Sequence, residues 1–156
     1  MDAHEYTSRV RAIETKLYRC AKCILKNDTD AADAVQEALL SAWRNLSSLR
    51  NEEYFETWLV RIVINECKRL IKKKILLREE ALSPTLTAPP EQEKNVYTFL
   101  MQLDEKYRLP IMLYHIQGYD VQSIARILSL PSGTVKTRLA RGRERLKKLI
   151  GQEAEA

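Results

Sequence analysis

The stretch from Gly118 to Arg145 leaves this chain few folding options. Asp120 is placed to cap a short helix in which Val121, Ile124, Ala125 and Leu128 recur at the i, i+3, i+4, i+7 spacing of one helical face. Ser129-Leu130-Pro131 breaks that helix, and Ser132 is placed to cap the next. On the second helix Val135, Leu139, Gly142 and Leu146 line an inner face, while Lys136, Thr137, Ala140 and Arg141 project the opposite way. Two short helices joined by a tight turn, one offering a basic face of small residues that a major groove can accept, are a helix-turn-helix.

Charge separates this reading from that of an ordinary amphipathic hairpin. Between Gly118 and Ile150, Arg126, Lys136, Arg138, Arg141, Arg143, Arg145, Lys147 and Lys148 face only Asp120 and Glu144. A purely structural helix mixes its signs for i, i+4 support, whereas clustered cations fit a polyanion whose phosphates release counterions on contact. The whole chain carries +5 unevenly, with Arg78 to Gln117 mildly acidic, and such asymmetry suggests a different partner for each surface.

With 156 residues, 45% of them hydrophobic, the chain has room for one ordinary domain or two small ones. No apolar run approaches the roughly 20 residues of a membrane span, so no membrane insertion is expected. Met1-Asp2-Ala3-His4-Glu5 lacks the basic and apolar regions of a signal peptide, which predicts a cytoplasmic protein. Cys20, Cys23 and Cys67 are an odd set, which fits reduced thiols better than a disulfide framework.

Only helices suggest themselves along the chain. Glycine is scarce, hairpin dipeptides are absent and no alternating strand pattern persists. A first helix is predicted over about Tyr6 to Leu25, with Val10, Ile13, Leu17, Cys20 and Ile24 on one face, and Asn27-Asp28-Thr29-Asp30 both ends it and caps its successor. The second, about Ala31 to Leu46, has a core stripe of Val35, Leu39, Ala42 and Leu46. Its opposite face carries Asp33, Gln36, Glu37, Leu40 and Arg44, where Leu40 beside Trp43 points to a protein-binding surface rather than a merely solvated one.

After a polar loop at Ser47 to Glu53, with Asn51 available as a cap, a third helix is predicted from about Tyr54 to Leu77. Phe55, Leu59, Ile62 and Leu70 give its inner face, with Trp58 on the flank and Glu66 on the apolar stripe without a visible reason. Arg61, Asn65, Lys68, Arg69 and Lys72 gather on one polar side. Cations beside Tyr54, Phe55 and Trp58 suit single-stranded nucleic acid, which takes phosphate contacts and base stacking, although on spacing alone Trp58 and Phe55 are more often simple core.

Ser83-Pro84 and Ala88-Pro89-Pro90 then forbid helix. The expected architecture is therefore all-α: a helical domain over residues 1–77, a flexible linker over 78–91, a second helical domain over 92–150 ending in the helix-turn-helix, and a frayed tail over 151–156. In the second domain Val96, Phe99, Leu100 and Leu103 open the core. A helix over about Glu105 to Gln117 follows, with Leu109, Met112, Leu113 and Ile116 apolar, Pro110 tolerated in its first turns and Gly118 ending it.

Three segments in this order carry a resemblance to bacterial sigma factors of the small extracytoplasmic-function class. Asp33-Ala34-Val35-Gln36-Glu37-Ala38-Leu39-Leu40-Ser41-Ala42-Trp43 resembles the family's region 2.2, Phe55-Glu56-Thr57-Trp58-Leu59-Val60-Arg61-Ile62-Val63-Ile64-Asn65 is similar to its promoter-melting segment, and Pro131-Ser132-Gly133-Thr134-Val135-Lys136-Thr137-Arg138-Leu139 resembles its region 4.2. The resemblance spans nearly the whole chain. It implies that Asp33, Gln36, Glu37 and Leu40 dock on core RNA polymerase. It also implies that the Leu46 to Glu53 loop, including Leu49, holds a base flipped from the −10 element, with Trp58, Arg61, Asn65, Lys68 and Lys72 beside it. Lys136, Thr137, Arg138, Ala140 and Arg141 would enter the −35 major groove, and the helix from Arg108 to Gln117 would help bind the polymerase flap. Leu49 departs from the family pattern, which often has an aromatic there. No further domain is expected after Ile150, so regulation is expected from a separate anti-sigma factor.

Other readings find less support. A ligand- or phosphate-sensing regulator would bind duplex DNA without polymerase, but no phospho-acceptor carboxylate follows a strand. A tetrahedral zinc site wants four ligands, and Cys20-Ala21-Lys22-Cys23 has only Cys67, His4 and His115 to add. No metal or cofactor is expected. With two distant histidines and no glycine-rich phosphate loop, the chain is not expected to be an enzyme.

Overall fold

The computed structural model describes residues 1–77 and 96–155, the last three by backbone alone. The predicted linker lies outside the described residues. The chain divides into two compact units, Met1–Thr85 and Leu86–Ala156, and among the described residues every regular element is helical.

The first unit is built from α1 (Ala3–Leu25), α2 (Asp28–Arg44) and α3 (Phe55–Leu76), each packed on the other two. The carboxylate of Asp2 caps α1 by accepting the Glu5 N–H at 2.8 Å, which starts the helix three residues before the apolar pattern does. The predicted stripe of Val10, Ile13, Leu17, Cys20 and Ile24 is buried throughout. Lys26, in the left-handed conformation at φ 58°, turns the chain, and Asn27 caps α2 through the Asp30 N–H at 3.1 Å.

The core face of α2 differs from the one expected. Ala31, Ala34, Val35, Ala38 and Ala42 are buried, whereas Leu39 is half-buried and Leu46 lies beyond the helix in a 3₁₀ turn, Leu46–Ser48. Alanines bury little area, yet they let helix backbones close toward the short end of the 8–10 Å interaxial range. In α3 the buried set is Phe55, Leu59, Val60, Val63, Ile64 and Cys67, with Ile62 and Leu70 only half-buried. Glu66 has its reason: Arg69 Nε donates to its carboxylate at 2.8 Å one turn on.

Cys20, Cys23 and Cys67 form no disulfide and have no solvent exposure. Burial, and then the neighbouring Cys23 and Cys67, push the Cys20 thiol well above its ordinary value, which leaves it little thiolate character. Among the described residues no group of three or more metal-ligating side chains is placed to hold an ion.

The second unit contains α4 (Val96–Leu100), α5 (Glu105–Ile111), α6 (Val121–Leu128) and α7 (Ser132–Glu155). Pro110 is the sixth residue of α5, in its second turn, and the helix widens immediately afterwards into a π turn, Met112–Ile116. A proline here cannot bond to the carbonyl four residues back and crowds it, and an adjoining wide turn is one way for the ladder to absorb that. Gly118, at φ 79°, ends the segment as predicted, with the Tyr119 N–H reaching back to Leu113 O at 3.0 Å. Arg108 is a core residue at 4% exposure, its Nη1 donating to Leu103 O at 2.7 Å.

Candidate nucleic-acid interface

The helix-turn-helix forms where the sequence placed it, with a shifted inner face. Asp120 accepts the Ser123 N–H at 2.7 Å to start α6, and bonds from Ser123 hold its carboxyl below the ordinary range. That contribution to stability is present at neutral pH and is lost as pH falls through the depressed value. Ile124 and Ile127 are the buried residues of α6, whereas Val121, Ala125 and Leu128 are half-buried. Ser129, left-handed at φ 54°, closes α6. Ser132 is the first residue of α7 rather than its cap, since the Val135 N–H bonds to Pro131 O at 3.2 Å.

On α7 the two predicted faces separate cleanly. Val135, Leu139 and Gly142 are buried and Leu146 half-buried, while Lys136, Thr137, Ala140 and Arg141 are exposed and Arg138 is half-buried on the edge. Gly142 permits this arrangement. A Cβ built there meets Ile111 Cδ1 at 2.5 Å and Tyr107 Cβ at 3.2 Å, so α5 and α7 approach closely because residue 142 has no side chain. Arg145 lies over the Tyr107 ring, 4.5 Å from its centre, and ties the same two helices from outside. Glu144 pairs with Lys148 at 3.8 Å, which leaves Lys136, Arg138 and Arg141 with no carboxylate among the described residues. Where the sequence predicts a frayed tail, α7 continues to Glu155.

The first unit presents two surfaces. On α2, Asp33, Gln36, Glu37 and Leu40 are all exposed on one side, with Leu40 at 51% and Trp43 beside it at 42%. Trp43 is braced by Tyr6, whose ring centre lies 5.1 Å away and whose hydroxyl donates to Leu39 O at 2.7 Å. Along α3, Trp58, Arg61, Asn65, Lys68 and Lys72 fall within about 80° of one another at 100° per residue, so they form one continuous stripe. Its four polar members are exposed, while Trp58 is half-buried and leans on buried Phe55 with ring centres 6.1 Å apart. Phe55 therefore belongs to the core, and Trp58 is shared between core and surface.

Leu49 sits between 3₁₀ turns Leu46–Ser48 and Glu52–Tyr54, the second capped by Asn51 through the Glu53 N–H at 3.0 Å. With Met1, Leu46, Ser47 and Glu52 it lines a hollow of about 280 Å³. Arg9 holds the rim, donating to Glu52 Oε2 at 3.3 Å and to Glu52 O at 3.2 Å. One group was missed from sequence: Tyr114, His115 and Arg143, which meet although 28 residues separate His115 from Arg143. Only the basic character of α7 hinted at it.

Two helical units, each with a basic exposed helix face, describe a nucleic-acid-binding protein of modular build. Residues 9–75 match the family described as Sigma-70 region 2, and residues 93–146 match Sigma-70, region 4. The ECF RNA polymerase sigma factor SigM of Mycobacterium tuberculosis is 35% identical to this chain over 155 residues, covering 96% of this chain and 79% of SigM. SigW of Bacillus subtilis, also an ECF RNA polymerase sigma factor, is 30% identical and covers 96% of this chain and 90% of its own. In fold, the chain is similar to the sigma factor RpoE of Bartonella quintana, solved in complex with the anti-sigma factor NepR. The TM-score is 0.78 at 22% identity, covering 94% of this chain and 97% of RpoE. The chain belongs to the extracytoplasmic-function class of the sigma-70 family.

Proposed function

We propose that this chain directs core RNA polymerase to promoters, reading a −35 element with its second unit and a −10 element with its first, and promotes DNA opening. The observation that carries this reading is that the region 2 and region 4 matches fall one on each unit, and each contains an exposed basic helix face. Lys136, Thr137, Arg138, Ala140 and Arg141 would lie in the major groove. The α3 stripe of Trp58, Arg61, Asn65, Lys68 and Lys72 would follow the single strand, and the hollow at Leu49 would receive the flipped base. Capturing that base offsets the few kcal/mol of its unstacking and so favours the open state. Asp33, Gln36, Glu37 and Leu40 would hold polymerase, and joining two weak DNA contacts through one assembly raises the effective concentration of the second.

The chemistry of RNA synthesis would be the polymerase's, and the chain would work in the cytoplasm. No described helix is long and apolar enough to cross a membrane. A separate anti-sigma factor is the proposed regulator, by analogy with the RpoE–NepR complex.

Transcription by purified core polymerase, with and without the chain, on promoter DNA from its own cell tests the reading. Specific initiation that depends on the chain is expected. No stimulation, together with tight duplex binding by the chain alone, would favour a conventional regulator. Two variants refine the result. Arg141→Ala should cost roughly tenfold in use of promoters with an intact upstream element, the low end of one base contact at about 1–3 kcal/mol, and unchanged use at moderate salt would remove it from the groove. Asn65→Ala should lower open-complex formation roughly tenfold while leaving closed-complex affinity within about twofold, in keeping with loss of a base-side contact. An equal fall in both would make Asn65 a general binding residue.

A further inference from the structure

Tyr114, His115 and Arg143 lie outside the groove contacts assigned above, yet they form a built arrangement. Arg143 donates from Nε to His115 Nε2 at 2.9 Å. Its guanidinium carbon stands 5.5 Å from the centre of the Tyr114 ring, and the two rings meet edge-on with centres 4.9 Å apart. All three residues are exposed, and no carboxylate pairs with Arg143 among the described residues.

Helix geometry places this group beside the proposed DNA face. Arg143 follows Lys136 by seven residues, about 20° short of two full turns, so the two share one side of α7 roughly 10 Å apart along its axis. An exposed arginine ordinarily samples many rotamers, and ordering it costs entropy. Here the Nε bond sets the direction of the guanidinium and the Tyr114 ring supports it, while both Nη groups keep their hydrogens for an acceptor outside the unit. Two parallel N–H donors presented in this way match two oxygens of one phosphate.

The bond from Arg143 also fixes the state of His115. Nε2 must accept, so the ring is neutral with its proton on Nδ1. Partial desolvation by its neighbours first, and the Arg143 charge second, hold His115 below its ordinary value, which preserves the acceptor at neutral pH.

We propose that His115 and Tyr114 are positioning residues that hold Arg143 as a clamp on a DNA backbone phosphate flanking the groove occupied by α7. The proposal rests on the reading of α7 as the −35 helix, and it adds a contact and two supporting side chains that the region 4 motif residues do not include.

The test is binding of holoenzyme, assembled from the full chain and core polymerase, to duplex promoter DNA across a salt series. Arg143→Ala should weaken binding roughly tenfold and reduce the slope of log affinity against log salt by about 0.9, the value of one phosphate. His115→Ala should produce a smaller loss, about threefold, and no further loss when added to Arg143→Ala, because the coupling runs through one guanidinium. His115→Gln, whose amide oxygen can accept from Nε, should restore most of the affinity, which a general structural role would not allow. Arg141→Ala serves as the reference for α7 itself. If it weakens binding while His115→Ala behaves as wild type, or while the His115 and Arg143 losses add independently, the clamp is overturned and the −35 reading stands. If none of the three variants has an effect, both fail.

Discussion

Gly142→Leu should unfold much of the second unit, lowering its stability by about 3 kcal/mol or more, beyond the usual range for overpacking. The first atom of the new side chain would stand 2.5 Å from Ile111 Cδ1, which can move, and 3.2 Å from Tyr107 Cβ, which is fixed to its backbone. The remaining atoms have no space unless α5 and α7 separate, and separation opens the core of the unit to water. A unit of this size has only a few kcal/mol in reserve, so most of it would be lost. Gly133→Ala is the matched control. A Cβ there meets nothing within 4 Å, and replacing glycine in a helix gains up to about 1 kcal/mol, so this variant should melt at or above the wild-type temperature. Thermal unfolding followed by circular dichroism decides the matter; equal melting of Gly142→Leu and wild type would refute the close approach of α5 and α7.

Leu40→Asp carries the other large effect, on assembly rather than folding. At 51% exposure Leu40 contributes little to the packing of the first unit, so a polar residue there should change stability by no more than about 0.5 kcal/mol. On a polymerase-bound face the same change buries a carboxylate among apolar contacts and removes an anchor beside Trp43. A central residue of this kind is worth at least about 2 kcal/mol, so affinity for core polymerase should fall roughly thirtyfold or more. Fluorescence titration of core polymerase, with a melting curve on the same sample, separates the two quantities. Wild-type affinity would dissolve the proposed docking face. A collapse in melting temperature would show instead that Leu40 is structural.

The residues that the sequence placed well are those whose roles are settled locally. Asp120 caps its helix, and within the capping stretch Asn27 to Asp30 it is Asn27 that does so, because a side-chain oxygen three residues before an N–H needs nothing from the rest of the fold. The α1 stripe and the two faces of α7 follow from periodicity alone. Periodicity weighted by bulk misled on α2, where the contact is made by alanines that such weighting passes over, and a strict i, i+3, i+4, i+7 spacing misled on α6, where it favoured Val121 and Leu128 over Ile127. The burial of Arg108 is not legible in periodicity, since it depends on carbonyls at Met101 and Leu103 brought back over it by the fold. The contact of His115 with Arg143 joins separate elements and depends on the path of the chain between them.

The wide turn at Met112–Ile116 has a consequence for how two straight elements keep in step. Tyr107, Ile111 and His115 all address α7, through Arg145, Gly142 and Arg143 in turn. In an uninterrupted α-helix each four-residue step overshoots a full circle by about 40°, so the third side chain would have drifted about 80° away from the first. A turn closed by a bond spanning five residues rotates less per residue and takes back part of that drift. The segment behaves as a vernier, letting three successive side chains of one helix meet three positions on its neighbour.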